Sequence, residues 1–173
     1  MKTVIGLVAG LLLGGVGGWY LSEDPGSDPA EDISPEEIAQ IEAEIVEVWK
    51  DHFRVMETFD CDRLTKTLHP EHLAMAYGAR LVGFDDWDGV CTGFFTTMES
   101  WTGYWADTEV RVLTPDLAVF TGYYGDTIHY SNGEVVTWPG NCAQVSLMER
   151  TEDGWKNSLF GQSCGSSQPV DGS

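Results

Sequence analysis

From Glu109 onward the chain is strand and turn almost without interruption, which commits it to an antiparallel sheet with one face that something else must cover. Glu109 to Leu113 alternates apolar and polar residues and stops at Thr114-Pro115-Asp116. Leu117 to Tyr130 is β-branched and aromatic, and Asn132-Gly133 is a strong short-range hairpin signal. Val135 to Arg150 and Trp155 to Ser163 complete the run, joined through Glu152-Asp153-Gly154. Turns this short can only join antiparallel neighbours, because a parallel pair needs a long crossover.

The cover is written upstream. Ser34 is a helix N-cap, Pro35 suits the first helical position, and Glu37 closes a capping box, with Ile33 and Ile38 as a hydrophobic staple. Ile38, Ile41, Ile45, Val48, His52, Val55 and Phe59 then recur at three and four residues, with Trp49, Phe53 and Met56 widening the stripe. This predicts a long amphipathic helix to about Thr58. A second helix is expected after Gly83, capped by Asp85 and patterned by Trp87, Val90, Cys91, Phe94, Met98 and Trp101. Between the two, Arg63 to Leu68 suits a short helix and Leu73 to Val82 a small hairpin around Gly78.

The charge is lopsided: 28 Asp and Glu against 9 Lys and Arg, a net charge of -19. Polyanion binding is driven by Lys and Arg displacing counterions, so nucleic acid is not an expected partner. The acids read as a solvated face.

At the amino end, Lys2 precedes an uncharged stretch from Val4 to Leu21. Two readings stand. One is a signal peptide, with small residues Val16 and Gly18 for a peptidase. The other is an uncleaved anchor, about eighteen residues long and ending in the interfacial aromatics Trp19 and Tyr20. Both put the remainder outside the cytoplasm, periplasmic or extracellular. The Pro-, Gly- and acid-rich residues 22–33 read as a flexible linker, 34–164 as the domain, and 165–173 as a disordered tail. Export gives meaning to the four cysteines, Cys61, Cys91, Cys142 and Cys164, which can pair fully and contain no C-x-x-C zinc motif.

The order of elements, the Gly83-Phe84-Asp85 helix start, the segment VRVLTPDLAVFTG from Val110 to Gly122 and the closing Asp153-Gly154-Trp155 resemble the nuclear transport factor 2-like (SnoaL-like) superfamily. The resemblance covers about Ser34 to Ser163. It implies an α+β fold, a cystatin-like roll, in which a curved antiparallel sheet wraps a long N-terminal helix and shorter helices into a cone. It also implies a pocket between the concave face and the first helix, used in the family by isomerases, dehydratases and other enzymes and by plain binding and dimer-forming domains. Fold alone does not choose among these.

Register counting assigns the faces. A two-residue Asn132-Gly133 turn sets Tyr124 opposite Asn141, Phe120 opposite Val145 and Ala118 opposite Leu147. A three-residue Glu152-Asp153-Gly154 loop sets Leu147 opposite Leu159 and Cys142 opposite Cys164, which predicts that disulfide. The expected concave face therefore holds Ala118, Phe120, Ala143, Val145, Leu147 and Leu159, with Tyr124, Asp126, Asn141 and Asn157 as its polar members. A bulge at Pro139-Gly140 would change the count beyond it. Cys61 and Cys91 remain to pair with each other, and it is the family layout that brings them close.

Trp49 and His52 on the first helix complete the expected pocket. Asp126, Tyr124 and His52 are its candidates for acid–base chemistry, since burial raises a carboxyl toward neutrality. Nothing calls for a metal or cofactor. His69-Pro70-Glu71-His72 is expected in a loop, Asp85, Asp86 and Asp88 lack a calcium-loop pattern, and there is no G-x-S-x-G or phosphate-cradling loop. The leading functional expectation is an exported domain that binds a small apolar ligand in the cone, or a partner chain such as a second copy through the sheet face. The alternative is a small isomerase or dehydratase. Residues 4–21 contact the membrane if uncleaved.

Overall fold

The computed structural model describes residues 33–76 and 79–169; the expected signal or anchor segment and most of the linker lie outside them. Helix α1, Pro35–Thr58, begins as its sequence dictates: the Glu37 amide donates to the Ser34 hydroxyl at 3.2 Å. It buries Ile41, Ile45, Trp49 and Val55, and Ile33 before it is also buried. Phe59 ends it in the left-handed region at φ 57° and packs on Phe95 at 4.8 Å. Next come α2 (Cys61–Thr65), β1 (Leu68–Ala76), β2 (Ala79–Val82), α3 (Gly83–Phe95), β3 (Met98–Thr114), β4 (Leu117–Tyr130), β5 (Val135–Thr151), β6 (Gly154–Cys164) and β7 (Gln168–Pro169). The strands form one curved, open sheet in the order β2-β1-β6-β5-β4-β3, with β7 on β5. β1 runs parallel to β6, and the other pairings are antiparallel. The α1 side chains Ile41, Ile45 and Trp49 pack into a core with Ala118, Phe120, Met148, Trp155 and Phe160 of the sheet.

Several local expectations need correction. α2 spans Cys61–Thr65, capped by Asp60, and stops short of Leu68, which opens β1. α3 ends at Phe95, so Met98 and Trp101 belong to β3: their apparent helical spacing continues only because both bury on the same side as the helix residues. Asp85 does not cap α3; the Asp86 carboxylate reaches back to accept from the Val82 amide at 2.7 Å. His69 to His72 lies in β1, where the chain stays extended through Pro70. Gln168 and Pro169, assigned to the tail, pair with Thr137 and Val136.

The larger correction concerns β5. The loop after β4 has three residues, Ser131-Asn132-Gly133: Tyr130 and Glu134 pair, and Gly133 sits at φ 87°. One residue of register turns every β5 side chain over. A bulge then intervenes, with Asp126 opposite Trp138 but Tyr124 opposite Cys142. Beyond it Cys142, Gln144, Ser146 and Met148 face the core, while Val145 is exposed and Ala143 and Leu147 lie on the outer side with Leu159. Asn141 likewise lies outside, its amide donating to the Ser166 carbonyl at 3.2 Å.

Cys142 and Cys164 do pair, by two offsetting steps. The β5–β6 turn is one residue shorter than expected, Thr151 facing Gly154, and a bulge at Ser158 restores the count before the cysteines are reached. Cys61 is joined to Cys91.

The β4–β5 bulge depends on Gly125. A Cβ there would lie 2.5 Å from the Gly140 nitrogen and 2.6 Å from the Trp138 oxygen, both backbone atoms that cannot step aside. Gly125→Ala is therefore expected to lower stability by about 2–3 kcal/mol in urea titrations, the range for overpacking. Gly133→Ala, at a position with open space but positive φ, should cost about 1 kcal/mol.

Candidate functional site

A cavity of about 70 Å³ lies between α1, α3 and the concave face of the sheet. Its walls are mostly apolar, with Phe53, Leu64, Trp87, Phe94 and Phe160 among them. Its polar lining comprises His52, His72, Tyr124, Asp126, Gln144, Asn157 and Gln162, with no Lys or Arg. Of the residues named from sequence, His52, Tyr124, Asp126 and Asn157 therefore line it. Trp49 and Phe120 stand behind it, stacked at 5.0 Å, and Asn141 is outside.

The residue that sequence reasoning missed is His72. It is fully buried on β1, and its Nδ1 lies 2.7 Å from the Asn157 carbonyl oxygen. A carbonyl can only accept, so Nδ1 carries the proton and the Nε2 lone pair is the basic one. Nε2 has no hydrogen-bond partner among the described residues. Burial holds the imidazole below its ordinary pKa, opposed by the bond to Asn157. The signal was present in Leu73 to Val82, the hairpin that makes β1 a strand: period two from Ala74, a core position, turns His72 inward.

Asp126 comes from β4. Its Oδ2 accepts from the Trp101 indole at 2.9 Å, and its Oδ1 is buried with no partner among the described residues. Burial raises its pKa, and the Trp101 bond partly offsets this. Tyr124 sits beside it on the same face of β4, its hydroxyl 4.0 Å from the Cys164 sulfur. Asn157 contributes a buried Oδ1 with no partner among the described residues, whereas Gln144 is tied to Ser146 at 3.2 Å. A neutral base, a carboxyl held toward its protonated form and an amide oxygen thus share one cavity. That set can take a proton from carbon, give one to oxygen, and hold a polar group in an otherwise apolar ligand. Among the described residues no group of His, Cys, Asp and Glu is arranged to hold a metal.

His52, on α1 with its ring 5.0 Å from Trp49, is pushed by burial to a pKa of about 4, against an ordinary 6.5. Its folded value lies below its unfolded one, so between those limits the unfolded chain takes up a proton that the native protein refuses. Stability is lost as pH falls from about 6.5 to about 4, by roughly 3 kcal/mol in all at ~1.4 kcal/mol per unit. His72 adds in the same sense, while Asp126, with its raised value, acts in the opposite one. Urea midpoints between pH 7 and pH 4.5 should fall less steeply for His52→Gln than for the wild type. Equal slopes would refute the assignment.

No family model and no curated protein matches the sequence. Solved structures do match by shape. A type 2 hexachlorocyclohexane dehydrochlorinase (LinA) superposes with a TM-score of 0.71 at 12% identity, over 80% of this chain and 95% of that one. A protein provisionally called a scytalone dehydratase, from Novosphingobium aromaticivorans DSM 12444, gives 0.71 at 8% identity over 81% and 94%. A nuclear transport factor 2-like superfamily protein from Salmonella enterica serovar Typhimurium gives 0.65 at 17% identity over 78% and 97%. Likeness at such identities speaks for architecture and for no activity. With the helix-lined sheet and its cavity, it establishes that this chain has the nuclear transport factor 2-like fold.

Proposed function

We propose that the cone is a catalytic pocket for proton transfer on a small, neutral, largely apolar substrate, an isomerisation or the elimination of water. The sequence alone put ligand binding first and chemistry second. His72 reverses that order. Its Nδ1 bond to the Asn157 carbonyl fixes the tautomer and leaves a buried basic Nε2 on a residue that lines the cavity. In the proposed step Nε2 takes a proton from the carbon next to a carbonyl, and the electron pair moves to the carbonyl oxygen. In its protonated form, which burial favours, the Asp126 carboxyl gives that oxygen a proton or hydrogen bond. In a β,γ-unsaturated carbonyl compound, protonated His72 returns the proton at the γ-carbon to complete an isomerisation; in a β-hydroxy compound it protonates the leaving hydroxyl to complete a dehydration, and in both the carbonyl re-forms as the oxygen's proton goes back to Asp126. The apolar lining without Lys or Arg favours uncharged substrates. Some solved structures of the same fold, described above, are named for eliminations, which is in keeping with this reading.

The test is deuterium incorporation. Cyclohexanone and 2-cyclohexen-1-one incubated with the protein in D₂O should exchange their α-hydrogens faster than in buffer, read by mass spectrometry. The rate should fall on the acid side as His72 takes up its proton, which burial moves to lower pH than for an ordinary histidine. No enhancement with either ketone, together with no retained small molecule in native mass spectra, would favour a purely structural cone.

The two disulfides point to an oxidising location outside the cytoplasm. We infer that residues 1–21 direct the chain there, as a cleaved signal or a retained anchor. Among the described residues no helix is long and apolar enough to cross a membrane. A reporter fused after Asp32 is expected to be active only outside the cytoplasm, and activity inside would refute the inference.

A further inference from the structure

Along the inner face of β3 and β4 three cross-strand pairs follow one another: Trp101 with Ile128, Gly103 with Asp126 and Trp105 with Tyr124. The middle pair sets a carboxyl-bearing side chain opposite a residue that has none. The indole of Trp101, two residues back on the same face, fills the space. A Cβ on Gly103 would lie 2.2 Å from its Cη2 and 2.5 Å from its Cζ2, so the ring can occupy this place only because residue 103 is glycine. From there its Nε1 donates to Asp126 Oδ2 on the facing strand at 2.9 Å. Phe53 of α1 packs against the indole edge to face, with ring centroids 5.2 Å apart, and Trp101 is buried, which holds the ring in that position.

An indole N–H can only donate, so the carboxyl oxygen in front of it must accept. In a protonated carboxyl the carbonyl oxygen is the better acceptor, and the hydroxyl is left to the other oxygen. Here the other oxygen is Oδ1, buried with no partner among the described residues, on a side chain that lines the cavity. We infer that Trp101 is a positioning residue: seated over Gly103, its indole holds the carbonyl end of the Asp126 carboxyl and leaves the transferable proton on Oδ1. That role rests on the proton-transfer reading of the cavity, in which Asp126 is the donor.

Burial favours the acid form of Asp126, and the Trp101 bond opposes it by favouring the carboxylate. Taking the bond away should therefore keep Asp126 protonated to higher pH. The other titratable groups lining the cavity are His52 from α1, His72 from β1 and Tyr124 from β4, and Tyr130 at the end of β4 also feels the Asp126 charge. His72 governs the acid limb of the exchange rate and Asp126 the alkaline limb.

Two variants test this from opposite sides. Trp101→Phe removes the N–H and keeps an aromatic ring, whereas Gly103→Ala keeps the N–H and displaces it. Each should slow deuterium exchange into 2-cyclohexen-1-one about tenfold near neutral pH, the worth of a hydrogen bond to an ionisable group. Each should also move the alkaline limb to higher pH and leave the acid limb where it is. Infrared difference spectra against the matching Asp126→Asn proteins follow the carboxyl directly, and its titration should rise in both variants. One variant loses core volume and the other adds a methyl group, so a shift common to both does not come from packing, and either variant carries the test if the other fails to fold. Slower exchange with an unmoved alkaline limb, or an unmoved carboxyl titration, would overturn the inference. A wild type that catalyses no exchange would instead sink the proton-transfer reading; the infrared titration needs no turnover and then decides alone whether Trp101 governs the Asp126 proton.

Discussion

Replacing His72 with Asn is expected to slow enzyme-dependent deuterium exchange by about 10²–10⁴-fold, the usual worth of a positioned base. Asparagine is the informative choice because its Nδ2 can stand where the imidazole Nδ1 stands and still donate to the Asn157 carbonyl, 2.7 Å away in the native protein. The fold is then supported while the basic nitrogen is gone. Exchange should also lose its acid-side dependence on pH, a change that a merely structural role would not cause. Asp126→Asn should cost less, about 10–10²-fold, since the amide still bonds Trp101 and can still donate a hydrogen bond to a developing oxyanion, though without transferring a proton. If His72→Asn and the wild type exchange equally, the proposed chemistry is wrong.

Removing both disulfides should lower stability by about 6 kcal/mol, a large part of the 5–15 kcal/mol typical of a domain. The bridges close loops of 22 and 30 residues, for which chain-entropy estimates are about 3 kcal/mol each. Their consequences should differ in kind. Cys142 and Cys164 join strands already paired, so Cys142→Ala with Cys164→Ala should chiefly shift the melting temperature, reaching the cavity only through Tyr124 and Gln162, which touch the Cys164 sulfur. Cys61–Cys91 ties α2 to α3, and Cys91 with Val90 and Phe94 lines the cavity. Losing that bridge should weaken ligand binding as well as stability. Paired thermal melts and ligand titrations of the two double variants separate the effects.

The long helix and the run of strands from Glu109 onward were legible because they rest on period, caps and turn chemistry, which are local; Cys142–Cys164 came out right through two offsetting register steps, and Cys61–Cys91 through the family resemblance. The faces of β5 were not. Whether Asn132-Gly133 closes a two- or three-residue loop depends on the φ of one glycine, and a single-residue difference inverts the strand. The inward Val145 and Leu147 of the sequence reading proved outward because an apolar outer face broke the assumption that apolar means core. β3 was half missed because Met98, Trp101 and Trp105 bury against the same wall as α3, so their spacing carried no clean period. His72 was hidden by Pro70, which suggested a loop where the structure has an irregular parallel strand.

That parallel pairing has a kinetic consequence. β1 can meet β6 only after nearly ninety residues have been drawn in: the His72 to Asn157 contact spans a separation of 85. The hairpins from β3 to β6 are joined by short turns and form quickly, but closure of so long a segment is slow. A newly made chain should therefore hold most of its sheet before it holds His72 in place. Exchange protection would appear first in β4 and β5 and last at β1, and activity would be recovered on the slowest phase of refolding.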